Sequence, residues 1–307
     1  MKTICVEGLT KRYKEKVVLD NISFELNKCD IVGYLGKNGS GKTTTINILV
    51  GLLKSEQGKI SILNNDVNKD YARLYGKIGI MFDENGLYEK MTVRQNIEYF
   101  LKLYRVDIVK HQQFIDQLFE EINYNEIKDL QVKKLSKGMK RTVTLVRTLM
   151  LKPEILILDE PFDGVDIENR GKFIHLIKKY YQENQPTIML TSHVMADIEE
   201  LANRIMILKD SKIIVNDDMI RFKQRAKHRT INVLFDSEDK VTKAVDIIKD
   251  TYPTCTISSN ECEIRIKTAQ ESVKQINMLL LNNNIDCSEV YQTQESLSDI
   301  YLELINE

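Results

Sequence analysis

Gly36-Lys37-Asn38-Gly39-Ser40-Gly41-Lys42-Thr43 is the stretch on which the reading of this chain turns. It satisfies G-x-x-x-x-G-K-[ST] with one additional glycine inside the pattern. Each residue type has a physical task. Glycines let backbone N–H groups turn inward around phosphate oxygens, and a helix opening at the end of the loop aims its positive terminus at the same oxygens. Lys42 reaches the terminal phosphates and the Thr43 hydroxyl ligates magnesium, with Thr44 completing the nucleotide-contacting set. An ordinary glycine-rich turn is the bland alternative, and the flanks argue against it. Ile31 to Leu35 is an uninterrupted apolar strand feeding the loop, and Thr43 to Leu53 carries helical spacing. A neighbouring tetrapeptide, Asn27-Lys28-Cys29-Asp30, spells the N-K-x-D of guanine readers, but it precedes the loop strand and reads as a polar turn.

Upstream of the loop, apolar and polar residues alternate (Val17, Leu19; Ile22, Phe24, Leu26), which predicts short antiparallel strands. Downstream, Ile97, Phe100, Leu101 and Tyr104, and then Ile115, Leu118, Phe119 and Ile122, recur three and four apart and predict amphipathic helices of a small insert. Continuous apolar strands return at Ile155 to Leu158, Ile188 to Leu190 and Ile205 to Leu208, the rhythm of a largely parallel, buried sheet. The first of these runs straight into Asp159 and Glu160, so two carboxylates stand at the carboxyl end of a buried strand, where ligands bind in such sheets. Beside a phosphate loop, that placement suits Asp159 to magnesium and Glu160 to polarising the attacking water.

With 42% hydrophobic and 29% charged residues in 307, the chain can bury a sizeable core, and two domains are the default. Lys plus Arg (44) nearly cancels Asp plus Glu (45), so no bulk field exists to hold nucleic acid or a membrane surface by charge alone. Five scattered cysteines lack the spacing of a metal knuckle and fit free thiols in a reducing compartment. No apolar run approaches the length of a bilayer span, which predicts a cytoplasmic chain.

Together with Leu135-Ser136-Lys137-Gly138-Met139, these features resemble the nucleotide-binding subunit of ATP-binding-cassette (ABC) transporters over residues 1 to about 215. The pentapeptide is similar to the family signature Leu-Ser-Gly-Gly-Gln, with Lys137 and Met139 as departures. The resemblance implies that Ser136 and the Gly138 backbone serve ATP bound to a second subunit. It also implies that Tyr13 stacks on adenine, that Asp166 couples the two sites of a dimer, and that His193 contacts the γ-phosphate and orients Glu160. Asp83 stands where the family has a magnesium-sensing glutamine; an acid can bind the metal or its water but cannot donate a hydrogen bond when ionised.

The fold implied is α/β, a P-loop NTPase cassette: a mixed, mostly parallel sheet with N-terminal antiparallel strands and a helical subdomain at about 88–150. A basic linker at 216–229 follows, then a small α+β ferredoxin-like accessory domain at 230–307, predicted from its βαββαβ order. The tail from Glu295 to Leu302 resembles cassette subunits of the ABC-2 exporter type. The implied function is ATP hydrolysis, with ATP and magnesium as cofactors, powering a separate integral membrane permease from the cytoplasmic face. A second ATP-binding subunit is the other partner, and export of drugs or antimicrobial peptides the direction. The competing class is a soluble ABC-type ATPase acting on nucleic acid or ribosomes. Those proteins carry long coiled-coil insertions, tandem cassettes or zinc cysteines, none of which occurs here, so no nucleic-acid partner is expected.

Overall fold

Apolar runs without polar alternation must be covered on both faces, and in the structure they lie side by side. The computed structural model describes residues 1–224, 229–268, 271–294 and 296–306. The chain divides into two units, Met1–Met219 and Ile220–Glu307.

The first unit opens with β1 (Lys2–Tyr13), β2 (Lys16–Asn27), β3 (Ile31–Gly36), α1 (Lys42–Leu49), β4 (Gln57–Ile62), β5 (Asn65–Asp66) and β6 (Ile78–Met81). Four helices follow: α2 (Val93–Leu103), α3 (Ile108–Glu121), α4 (Tyr124–Ile127) and α5 (Lys137–Leu149). The chain then returns through β7 (Ile155–Leu158), α6 (Ile167–Asn184), β8 (Thr187–Leu190), α7 (Met195–Leu201), β9 (Arg204–Lys209) and β10 (Lys212–Asp218).

Six strands form one sheet in the order β10-β9-β3-β8-β7-β6, all neighbours parallel except the β9–β10 hairpin. This order decides the site. Because β8 lies between β3 and β7, the loops leaving the carboxyl ends of these three strands are neighbours, and the loop after β6 stands beside that after β7. A second, antiparallel sheet of order β2-β1-β4-β5 shares its core with the first, with Leu9 and Ile60 in the same cluster as Ile46, Ile157 and Met206.

The segment Asn27 to Asp30 is the turn between β2 and β3, closed by Asp30 Oδ2 accepting from the Asn27 N–H at 2.7 Å. Helix α1 stops four residues short of the predicted Leu53, because Gly51 takes a left-handed φ of +71° and the Leu52 and Leu53 N–H groups both turn back to Asn47 O. The apolar pattern predicts no element between Leu53 and Ile78, yet β4 and β5 lie there. Only Ile60 and Ile62 of β4 are buried, and two positions do not make a legible period.

β10 extends past the expected domain end at residue 215, pairing Asn216, Asp217 and Asp218 with Met206, Ile205 and Arg204. A strand ladder uses backbone groups, so this polar tripeptide carries it as well as an apolar one. The segment expected as a basic connector contains helix α8 (Met219–Gln224), while Arg225, Lys227 and His228 lie outside the described residues, as does Glu295 of the tail.

The second unit continues with β11 (Arg229–Leu234), α9 (Glu238–Thr251), β12 (Thr256–Ser259), β13 (Glu263–Thr268), α10 (Val273–Asn282), β14 (Glu289–Gln294) and α11 (Leu297–Asn306). Its four strands pair antiparallel in the order β12-β13-β11-β14, and Ile231, Val233, Ile264 and Ile266 pack with Ala244, Ile248, Ile276 and Leu280 of the helices. Among the described residues no helix is long and apolar enough to cross a membrane.

Gly33, in the central strand β3, is a packing requirement: a Cβ there would stand 2.2 Å from Ile198 Cγ2 of α7. Gly33→Val should therefore lower the urea midpoint of unfolding at unchanged slope, a loss of about 1–3 kcal/mol from overpacking. An unchanged midpoint would show that α7 is free to move away.

Candidate active site

The glycine-rich loop leaves β3 at Gly36 and ends at Gly41, the N-cap of α1. Gly41 has φ +118°, and a Cβ on it would stand 2.9 Å from Val18 O, so only glycine fits between the loop and β2. It also gives α1 no side-chain cap, which leaves the N–H groups of the first turn for a ligand. The Ser40 hydroxyl is buried in the loop without a hydrogen-bond partner. A buried, unspent hydroxyl beside uncapped amides is the donor set that a phosphate group satisfies.

Lys42 is nearly buried, and its Nζ donates to Gly36 O at 2.7 Å and Lys37 O at 3.3 Å, so the ammonium is folded across the loop that would hold the phosphates. Burial pulls its pKa below the ordinary lysine value, opposed by the charges of Glu160 and Asp159. Those two carboxylates therefore share the electrostatic environment of the loop. Thr43 is exposed and Thr44 half-buried.

Asp159 and Glu160 leave β7 where the sheet order brings it beside β8. Asp159 is buried, and its N–H donates to Met81 O at 2.8 Å. Thr191, the first residue after β8, joins the two acids: its Oγ1 donates to Asp159 Oδ1 at 2.7 Å and accepts from the Glu160 N–H at 2.9 Å. Glu160 has φ +46°, a left-handed conformation that a side-chain-bearing residue adopts at a cost of about 1–3 kcal/mol when its surroundings impose it. Its Oε2 lies 2.9 Å from His193 Nδ1 and 3.1 Å from the His193 N. Thr191 was not among the candidate residues of the sequence. The available signal was a hydroxyl at the carboxyl end of an apolar strand, which by itself is common.

A second group forms around the starts of α5 and α6. Ser136 caps α5, its Oγ accepting from the Met139 N–H at 3.1 Å, and Leu135 before it is buried. Lys137 pairs with Asp163 at 2.5 Å. Asp166 caps α6, accepting from the Asn169 N–H at 3.0 Å, and its Oδ2 lies 3.3 Å from where a Gly138 Cβ would be. Gly138 thus keeps the helix start open. Tyr13, at the end of β1, is about half exposed, with Lys11 Nζ over its ring at 5.5 Å from the centroid.

The structure engages Asp83 differently from its expected place beside the metal. Its Oδ1 accepts from Arg141 Nη2 at 2.6 Å, and Arg141, fully buried in α5, also donates from Nη1 to Phe82 O at 2.7 Å. Arg141 is fully buried but Asp83 is 66% exposed, so the pair sits at the protein surface with only its cationic partner in the interior, unlike Lys137–Asp163, where both side chains are exposed. Among the described residues no three His, Cys, Asp or Glu gather around one point.

Thr191→Val keeps shape and removes both hydrogen bonds of the clamp. It should lower kcat for nucleotide hydrolysis about ten- to hundredfold by releasing Glu160, and cost about 1–3 kcal/mol of stability, with nucleotide affinity little changed. Steady-state kinetics beside a nucleotide titration check this, and an unaltered kcat would remove Thr191 from the site.

Residues 19–163 match the family model described as ABC transporter. A bacitracin transport ATP-binding protein, BcrA of Bacillus licheniformis, is 30% identical over 301 residues, covering 97% of this chain and 95% of that protein. A linearmycin resistance ATP-binding protein, LnrL of Bacillus subtilis (strain 168), is 33% identical over 208 residues, covering 68% of this chain and 67% of that protein. Among solved structures, a dimeric ATP-binding cassette in a post-hydrolysis state bound to ADP and Pi superposes with a TM-score of 0.62 at 25% identity, over 70% of this chain and 98% of that one. The phosphate loop, the strand-end acids and the sheet order agree with these likenesses, and the chain belongs to the ATP-binding subunits of ABC transporters, which are ATPases.

Proposed function

We propose that the chain binds Mg-ATP in the loop from Gly36 to Thr43 and hydrolyses it to drive a separate integral membrane permease that exports drugs or antimicrobial peptides. One observation carries the catalytic part: the Glu160 carboxylate is held by His193 through both ring and backbone, at 2.9 and 3.1 Å, beside the loop whose lysine feels its charge. In this reading the backbone amides of Lys37, Asn38, Gly39, Ser40 and Gly41 cradle the phosphates, with Thr44 beside them. Lys42 leaves its two carbonyl partners for the phosphate oxygens, a stronger, charge-assisted bond. Magnesium, held by the Thr43 hydroxyl and Asp159, would neutralise phosphate charge. Glu160 then takes the proton of the attacking water, held in orientation by His193 and Thr191.

The adenine stacks on Tyr13, whose ring is exposed. A second ATP-binding subunit, identical or related, completes each site through Leu135 to Met139, with Ser136 and the Gly138 backbone facing the γ-phosphate and Asp166 coupling the two sites. The permease contacts the helical insert, where Tyr88, Tyr99 and Phe100 form an aromatic cluster with two exposed tyrosines. Association with that permease holds the chain on the cytoplasmic face of the membrane. The names of the two relatives, bacitracin transport and linearmycin resistance, favour export, since resistance achieved by transport is efflux. The βαββαβ unit is read as a ferredoxin-like accessory domain.

Glu160→Gln should bind ATP, lose hydrolysis by at least about a hundredfold and elute as an ATP-locked dimer in size exclusion. An ATP-saturated monomer would sink the two-subunit site. The wild-type chain, extracted in detergent, should co-purify with an integral membrane protein; recovery with ribosomes or DNA instead would point to the soluble ATPase class.

A further inference from the structure

We propose that Arg141 of helix α5 is a positioning residue for the hydrolysis centre of its own subunit, acting through Asp83. The inference rests on Glu160 being the residue that activates water. Arg141 is fully buried, and both its hydrogen bonds go to one short segment, Phe82 O and Asp83 Oδ1, with Nε left unsatisfied among the described residues. That segment is the continuation of β6. β6 and β7 pair in parallel and both end at Met81 opposite Leu158, so Phe82 and Asp83 leave the sheet at the level where Asp159 and Glu160 do. Met81 O also accepts the Asp159 N–H. The guanidinium thus grips the strand end that flanks the catalytic acid.

Stability alone does not call for this arrangement. Burying the Arg141 guanidinium has a desolvation cost that an apolar side chain of similar size would avoid, whereas its two bonds, to Phe82 O and to the exposed Asp83, restrict where that segment can stand. A carboxylate bound to a buried cation is also held against leaving, since its departure would strand the charge in the interior. This accounts for Asp83 lying against α5.

Lys137, one helical turn before Arg141 and so on the same face, adds a weaker second point. It pairs with Asp163, whose N–H donates to Glu160 O at 3.2 Å. Because Lys137 and Asp163 are both substantially exposed, Arg141 is the dominant link. The helix that begins with the signature residues is therefore bonded to both loops bracketing Glu160 within one chain, and a shift of α5 alters the alignment of that carboxylate.

The test uses the full chain with Arg141→Gln, Asp83→Asn and the double variant. Steady-state ATPase assays give kcat and KM, magnesium titrations give the half-saturating concentration, and a fluorescent ATP analogue reports binding. Each single variant should lower kcat about tenfold with KM and analogue affinity within about twofold. The double variant should be no slower than the slower single, because both remove one link. Multiplicative losses in the double variant would overturn the proposal. So would Asp83→Asn raising the magnesium requirement while Arg141→Gln does not, which would return Asp83 to the metal. If Arg141→Gln fails to fold, Asp83→Asn at its exposed position still decides: wild-type kcat there overturns the proposal. Glu160→Gln runs alongside, and if that variant still hydrolyses ATP it is the underlying assignment of Glu160 that has failed, whatever Arg141 does.

Discussion

The position of β8 between β3 and β7 is the constraint on which the site depends. All four residues of β8 are fully buried. Its three apolar side chains each contribute about 1.5–3 kcal/mol on leaving water. The polar member, Thr187, is satisfied by bonding to Thr3 Oγ1 at 2.8 Å and to Asn27 O at 2.9 Å, which ties the parallel sheet to the antiparallel one. With β8 held there, the phosphate loop, the Thr191–His193 segment and the Asp159–Glu160 pair leave three adjacent strand ends on one edge. No residue of the site needs a long excursion to reach the others.

Catalytic readiness is bought with stability at several of these positions. Lys42 is buried without a carboxylate bonded to it, Glu160 holds a left-handed backbone, and Ser40 keeps an unsatisfied buried hydroxyl. The ammonium and the hydroxyl are groups that a phosphate would satisfy, and the Glu160 backbone is held in place by its surroundings. Buried charges away from the loop are paired instead: Arg170 with Asp197, and Arg141 with Asp83. The contrast separates groups awaiting a ligand from groups holding the frame.

Family membership and site chemistry answer different questions. The likeness to known cassettes establishes an ABC ATPase, one of a class that works with membrane permeases and as dimers. It does not assign the roles of residues in which this chain departs from its relatives, such as Lys137, Met139 and Asp83. Two of these departures, Lys137 and Asp83, meet charge partners within the chain, so their effect is a matter of cis contacts that no motif describes.

The sequence by itself determined the phosphate loop, because glycine and lysine at fixed local spacing are the chemistry. It likewise determined the strand from Ile155 to Leu158 with its two acids, because an unbroken apolar run has to be buried. Helices α2 and α3 were legible from apolar residues three and four apart, and strands β3, β8 and β9 from apolar runs like that of β7. The end of α1 at Leu49, the strand β4, the Thr191 clamp and the Arg141–Asp83 pair were decided only in the tertiary structure. Each depends on a partner 15 or more residues distant or on a backbone turn that carries no periodicity, and hydrophobic pattern records burial but not which buried groups meet.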